Sequence, residues 1–312
     1  MTLFYYDPVF LEHKTGNHPE HAGRLREVIK QLEQHSMLAA MKQPSWEAAT
    51  QEQLLQVHSD DAISFIRQWV EKGGGQIEQD TVVSPQSWLA ATRAAGAACD
   101  AVRRVIAGED RNAFCLVRPP GHHAMHSHPM GFCLVNHVAV AARAAIEQWD
   151  LNRVLIIDWD VHHGNGTQAT FWDDPNVAFF SMHRFPFYPG SGAEDETGQG
   201  AGQGLTVNVP IEFGTSRQEQ LDRFRQKTEA LADHFRPELI LISAGFDSHK
   251  DDPVGSLGLE SEDFATLTDT VMDLATTHCD GRIVSLLEGG YNPTALAESI
   301  QQHLQRLTKP NG

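Results

Sequence analysis

The sequence predicts an α/β protein on a mainly parallel sheet, and three observations carry that expectation. Short apolar runs recur at residues 3–6, 113–117, 154–157, 177–181, 205–209, 239–243 and 283–287, each of a length that suits a buried strand. Between them lie segments such as 87–106 and 217–234, whose length and composition suit helices. Strands alternating with helices form a parallel sheet covered on both faces. Finally, several runs open at their carboxyl ends into acids and histidines, the end of an open α/β sheet where ligands bind.

In chain order, the run 3–6 gives a first strand and 87–106 a helix. The run 113–117 leads directly into Arg118-Pro119-Pro120-Gly121-His122-His123. The run 154–157 leads into Asp158-Trp159-Asp160-Val161-His162-His163-Gly164-Asn165-Gly166, the most informative stretch of the chain. Segment 190–204 holds six glycines around Glu194, Asp195 and Glu196; such a composition resists ordering and reads as a surface loop. The run 239–242 opens into Ser243-Ala244-Gly245-Phe246-Asp247-Ser248, and 283–287 into Glu288-Gly289-Gly290-Tyr291. Last, Leu296, Ile300, Leu304 and Leu307 recur at helical spacing, the apolar stripe of a helix that packs on the core.

No linker, charge block, repeat or low-complexity tail divides the 312 residues, so one domain over 1–312 is expected. A chain of this length buries roughly three quarters of its unfolded surface and needs no disulfides. Its four cysteines, Cys99, Cys115, Cys133 and Cys279, form no C-x-x-C pair and read as reduced, structural thiols. The start lacks a basic region followed by an apolar core, and no run approaches the ~20 apolar residues of a membrane span. These features predict a cytoplasmic protein without a membrane partner. The net charge of -17 argues against nucleic-acid binding, which leaves a basic footprint, and is compatible with basic peptide substrates.

A strand alternates its faces, so Asp158, Asp160 and His162 should project to one side. Two carboxylates and an imidazole converging there would carry a severe desolvation cost unless paired, and a divalent metal pairs with them best. A lone Asp or His in such a place is more often a hydrogen-bonded loop residue. Three strand ends that each carry acids or histidines are hard to explain as structure alone.

With these motifs assembled, the chain resembles the zinc-dependent histone deacetylase family, in its class II-like bacterial branch of deacetylases and acetylpolyamine amidohydrolases. The resemblance rests on residues 118–123, Gly131-Phe132-Cys133, 158–166, 243–248, Asp252-Pro253 and 288–291, and runs from about His18 to about Leu304. It implies the arginase/deacetylase-like three-layer α/β/α sandwich. It also implies Asp160, His162 and Asp247 as ligands of zinc, with iron(II) a competitor at so oxygen-rich a site. His122 would act as general base and His123 as general acid. Asp158 would orient His122, while Asn165 partners His123, where other branches carry Asp. Tyr291 would donate to the substrate carbonyl and the oxyanion. Phe132 and Tyr188 would wall a tunnel for an aliphatic chain, with Gly131 allowing close approach, and Arg24 would lie on the acetate-release side. A potassium site would involve Asp158, Asp160, His162, Ser181 and Met182, and a farther one Phe171 and Val177.

The expected reaction is removal of an acetyl or other acyl group from the ε-amine of lysine in a protein or peptide. The alternatives are an acetylpolyamine amidohydrolase and a binuclear ureohydrolase of the arginase type. In polyamine-selective relatives a Glu follows Asp-Pro at the mouth, where this chain has Val254; the binuclear site needs an Asp where it has Gly164. A non-catalytic acyl-lysine reader is a further alternative, set against the complete set of reactive groups. Oligomeric state and acyl preference are not written in the sequence.

Overall fold

The computed structural model describes residues 2–309, so the expected single domain over 1–312 extends slightly beyond it. The described chain runs through β1 (Leu3–Tyr5), α1 (Gly23–Gln34), α2 (Gln51–Leu55), α3 (Asp60–Glu71), β2 (Gly75–Gln76), β3 (Val82–Val83) and α4 (Ser87–Ile106). It continues through β4 (Asn112–Cys115), α5 (His137–Trp149), β5 (Val154–Asp158), α6 (Asn165–Thr170), β6 (Val177–Arg184) and β7 (Thr206–Ile211). The last elements are α7 (Arg217–Phe235), β8 (Leu239–Ala244), α8 (Ser261–His278), β9 (Ile283–Leu287) and α9 (Pro293–Leu307).

All seven apolar runs lie in strands of one sheet, in the order β1-β4-β9-β8-β5-β6-β7, and every neighbouring pair is parallel. The expected mainly parallel sheet is therefore wholly parallel, and β2 and β3 form a separate antiparallel pair. Strands β4, β5, β8 and β9 are buried along their whole length, which is why they read as unbroken apolar runs rather than alternating ones. Helices α4 and α5 pack on each other, while α1, α9, α8 and α7 pack in succession. Right-handed crossovers send α4 and α5 to one face and α7 and α8 to the other, because the chain moves in opposite directions along the sheet when it makes them, and α9 and α1 extend the second layer from α8. This is the expected three-layer sandwich.

The topology also fixes where a site can form. From β5 the chain moves outward to β6 and β7, then returns through α7 to β8 on the other side of β5, and on to β9. The connections leaving β5 and β8 therefore diverge and open a crevice at the carboxyl ends of adjacent strands. Asp158 lies across from Ser243 on one side and Ser181 on the other.

Local capping sharpens the ends that matter. Asn292 caps α9 by accepting from the amides of Thr294 and Ala295, with Pro293 in the first turn, so the helix begins immediately after Tyr291. Its stripe of Leu296, Ile300, Leu304 and Leu307 is buried as expected. The glycine-rich segment 190–204 is pinned rather than loose. The Glu196 carboxylate accepts from the amides of Gly192 and Ala193 and from Gln168 Nε2, and His183 Nε2 meets the Gly192 carbonyl at 3.0 Å.

Candidate active site

The exit of β5 explains how an Asp-x-Asp-x-His stretch folds back on itself. Asp158 Oδ1 accepts from the amide of Asp160 at 3.0 Å, and Asp160 Oδ1 accepts from the amide of His162 at 2.9 Å. Two successive turns, each closed by an aspartate on the amide two residues on, end the strand and curl the next side chains inward. The second oxygen of each acid remains free for other work. Asp158 Oδ2 meets His122 Nδ1 at 2.9 Å, and Asp160 Oδ2 accepts from the Gly289 amide at 2.8 Å.

The exit of β8 brings in Asp247. Its Oδ1 accepts from the Val161 amide at 2.9 Å, locking the two loops together. Its Oδ2 is buried, lies 3.2 Å from His162 Nδ1 and has no hydrogen-bond partner. His162 Nδ1 is also 3.0 Å from Asp160 Oδ1. One atom from each of Asp160, His162 and Asp247 lies within 4.8 Å of the others, and all three residues are buried.

These residues fit a divalent cation, with two carboxylates and one imidazole as donors. The unpartnered Asp247 oxygen is costly without one. Gly289 completes the cradle: a Cβ there would stand 2.1 Å from Asp247 Oδ2 and 2.5 Å from Asp160 Oδ2. Electrostatics agree. Burial, then the Asp160 charge, pushes the Asp247 carboxyl up to about 7. Burial works against charge on His162, yet the neighbouring Asp160 and Asp247 carboxylates push it up to about 9. Without a cation the group holds on to protons that a dication would displace.

The exit of β4 supplies the imidazole pair, whose ring centroids are 4.0 Å apart. His122 is tied through Nδ1 to Asp158 and His123 through Nδ1 to Asn165 Oδ1 at 2.7 Å, so each ring turns its Nε2 away from its anchor. Burial disfavours charge on His122, but Asp158 and then Asp160 outweigh it and push that imidazole up to about 10. Burial, then His122 and His162, hold His123 well below the usual imidazole range. Glu288 supports the same turn, its Oε2 accepting from the amides of Gly121 and His122 at 2.6 and 3.2 Å.

Tyr291 closes the site from the exit of β9. Burial, then the Asp247 charge, keeps its hydroxyl well above the ordinary phenol range, so it stays a donor. Arg24 is wholly buried behind it. It donates to the carbonyls of Gly290 and Glu288 at 2.5 and 2.6 Å and to Glu20 at 3.0 Å, with its guanidinium 4.9 Å from the Tyr291 ring.

The family profile described as Histone deacetylase domain matches residues 18–307. The chain belongs to the histone deacetylase family. It is 37% identical over 295 residues to a probable deacetylase of Archaeoglobus fulgidus, across 94% of this chain and 82% of that protein. It is also 37% identical over 338 residues to human histone deacetylase 7, across 96% of this chain and 35% of the human protein, so it spans about a third of that relative's length. A solved structure, the crystal structure of the HDA15 HD domain, matches with a TM-score of 0.93 at 35% identity, covering 98% of this chain and 88% of that one. Such a neighbour accords with the arginase/deacetylase-like fold.

Around the reactive groups of this histone deacetylase family member, the remaining predicted residues divide. Phe132 sets its ring edge-on to Tyr291, with centroids 5.7 Å apart, and Gly131 lies so close to His123 that a Cβ would approach its ring to 2.4 Å. Tyr188 stands edge-on to His123 at 5.2 Å and is more than a third exposed. Val254 is partly buried on the turn after β8, its amide bonded to Asp252. Ser181 and Met182 are buried on β6, Phe171 is buried just past α6, and Val177 begins β6.

Several participants carried no assigned role on sequence. Phe187, next in the chain to Tyr188, stacks on His162 at 5.3 Å. Asp80 accepts from the Thr81 hydroxyl at 3.0 Å, and that hydroxyl in turn accepts from the Phe132 amide at 3.1 Å. Beneath the site, Arg118 grips the Glu20 carboxylate with two nitrogens at 2.5 and 2.8 Å. Glu288, Gly289 and Arg118 stood within recognised motifs; contacts such as Arg118 to Glu20 join residues 98 positions apart and leave no local pattern.

Proposed function

We propose that the chain is a metal-dependent amidohydrolase that removes acetyl or other acyl groups from the ε-amine of lysine in proteins or peptides. The observation that carries this reading is the buried, unpartnered Asp247 oxygen beside Asp160 and His162, with two anchored imidazoles and a protonated phenol around it. Asp160, His162 and Asp247 would hold zinc, or iron(II) in the cell, which when bound supplies Lewis acidity that activates water near neutral pH and polarises the acyl carbonyl.

The protein's own groups divide the remaining work. His122, paired with the Asp158 carboxylate, carries its proton stably and keeps a positive charge beside the reacting oxygen. His123, facing the neutral Asn165 amide, is protonated only transiently, the property required of a group that accepts a proton from water and delivers it to the leaving amine. This departs from the expectation that His122 is the base and His123 only the acid, and it follows from the different partners of the two rings. Tyr291 donates its hydroxyl to the developing oxyanion, an interaction worth about 3 to 4 kcal/mol at comparable sites. Phe132 and Tyr188 flank the aliphatic chain of the substrate, with Gly131 between them. A potassium ion near Asp158, Asp160, His162, Ser181 and Met182 belongs to the same proposal, as does a cytoplasmic setting for four buried free thiols. No helix among the described residues is long and apolar enough to cross a membrane.

Val254 supports lysine over polyamine. Its side chain offers no partner to the second ammonium of an acetylated polyamine and costs an acyl-lysine peptide nothing. With the zinc form, kcat/KM is expected to be higher for acetyl-lysine peptides than for N-acetylated putrescine or spermidine, and Val254→Glu should move the ratio toward polyamines. A wild-type preference for polyamines would overturn this assignment.

A further inference from the structure

The loop after β8 carries a second buried carboxylate that the metal-binding group does not use. One oxygen of Asp252 accepts from the amides of Val254 and Gly255, both at 2.9 Å. The other accepts from the amide of Tyr291 at 2.6 Å, on the separate loop that follows β9. The residue before that tyrosine, Gly290, has a φ of 119°, a conformation that side chains rarely adopt. The turn is therefore irregular, and charged side chains hold both flanks: Arg24 takes the carbonyls of Glu288 and Gly290, and Asp252 takes the Tyr291 amide.

We infer that Asp252 is a positioning residue whose carboxylate fixes the hydroxyl of Tyr291 relative to the reacting carbonyl and couples it to the Val254 rim. This rests on the role proposed for Tyr291 as oxyanion donor. Asp252 contacts neither substrate nor metal ligand set in this role; it acts through the backbone it holds. A carboxylate suits the task because all three of its partners are N–H donors, and a charged acceptor forms the stronger bonds. An asparagine of the same size has one acceptor oxygen and an NH2 group. If its oxygen serves Val254 and Gly255, the NH2 faces the Tyr291 amide donor to donor, and the bond becomes a repulsion. Small displacements of an oxyanion donor are costly because its benefit depends on being placed before the charge develops.

The test is Asp252→Asn in the zinc-loaded protein, with Asp252→Ser, which keeps a single short acceptor, as the second variant. Zinc stoichiometry should stay at the wild-type level. We expect kcat to fall by ~10-fold or more with KM within about threefold of wild type, and no further fall when Asp252→Asn is added to Tyr291→Phe, since the hydroxyl it places is already gone. A readout independent of turnover comes from 3-fluorotyrosine labelling. The four tyrosines are Tyr5, Tyr6, Tyr188 and Tyr291, and the Tyr291 19F resonance is assigned with Tyr291→Phe. Asp252→Asn, or Asp252→Ser should the first variant not fold, is expected to shift or broaden that resonance while those of Tyr5 and Tyr6 stay in place. An unchanged Tyr291 resonance, or losses that multiply in full in the double variant, would overturn the inference. A wild-type protein that turns over no acyl-lysine substrate would instead overturn the proposed function, and the 19F comparison would still decide the role of Asp252.

Discussion

Alanine at position 289 would add one methyl group where the two metal-facing carboxylates converge. Gly289 has no left-handed φ, so alanine is compatible with its backbone. The added Cβ would stand 2.1 Å from Asp247 Oδ2 and 2.5 Å from Asp160 Oδ2, against an ordinary carbon–oxygen contact of ~3.5 Å. One or both carboxylates must therefore retreat by about 1 Å, whereas metal–ligand distances tolerate only about 0.2 Å. We expect zinc affinity to fall by at least ~100-fold, equivalent to about 2.8 kcal/mol, with hydrolysis lost at limiting zinc. The assay is zinc titration against a chromophoric chelator, alongside melting of the metal-free proteins followed by circular dichroism. Cooperative melting of the variant separates loss of the cradle from loss of the fold. A folded Gly289→Ala protein that binds zinc with wild-type affinity would refute the placement of the ion between these two acids.

Three further outcomes follow from the same geometry. Asp160→Ala, His162→Ala and Asp247→Ala should each lose both metal and hydrolysis, because the set has three members and no spare; elemental analysis showing full occupancy with normal turnover in any of them would contradict it. Tyr291→Phe should keep its metal and lower the chemical step by ~100-fold or more, measured in single turnover, and an effect below about threefold would make the hydroxyl structural. Stability should fall on acidification below pH ~6.5. Burial pushes His13, His58 and His137 down to about 4 and His303 to about 3, so the unfolded chain binds protons that the folded chain refuses between those values and the ordinary one. Each contributes up to about 1.4 kcal/mol per pH unit in that window. Glu20 adds a later loss: Arg118 overcomes burial and holds its carboxyl well below the usual range, so its contribution disappears only as pH falls below ~4.5. Urea midpoints that stay constant from pH 7.5 to 5 would show these histidines to be accessible to protons in the fold.

What the sequence made legible has a physical basis. Parallel strands buried on both faces must be apolar throughout, so β4, β5, β8 and β9 announced themselves, and residues 87–106 match α4 to the residue. β6 runs three residues past its expected end because Met182, His183 and Arg184 continue the ladder with β7, the buried His183 being satisfied by Ser181 and Gly192. A polar residue satisfied by tertiary contacts does not look like strand. At the site, the acids and histidines were legible because they cluster at strand ends. The burial of Arg24, the clip formed by Asp252 and the stacking of Phe187 on His162 were not, since each depends on how separate loops meet. The glycine-rich segment is the surface loop expected, but its order was not legible for a related reason: it comes from one carboxylate, Glu196, gathering the loop's own amides.

The measurement that bears most directly on the account is hydrolysis of an acetyl-lysine peptide by the purified protein before chelation, after removal of metal, and after restoring zinc at one equivalent. Turnover should disappear in the metal-free protein, return with one zinc per chain, and not return in Asp247→Ala under the same treatment. Undiminished hydrolysis by the fully metal-free protein, or none by the zinc-restored wild type across acyl-lysine peptides, would contradict it.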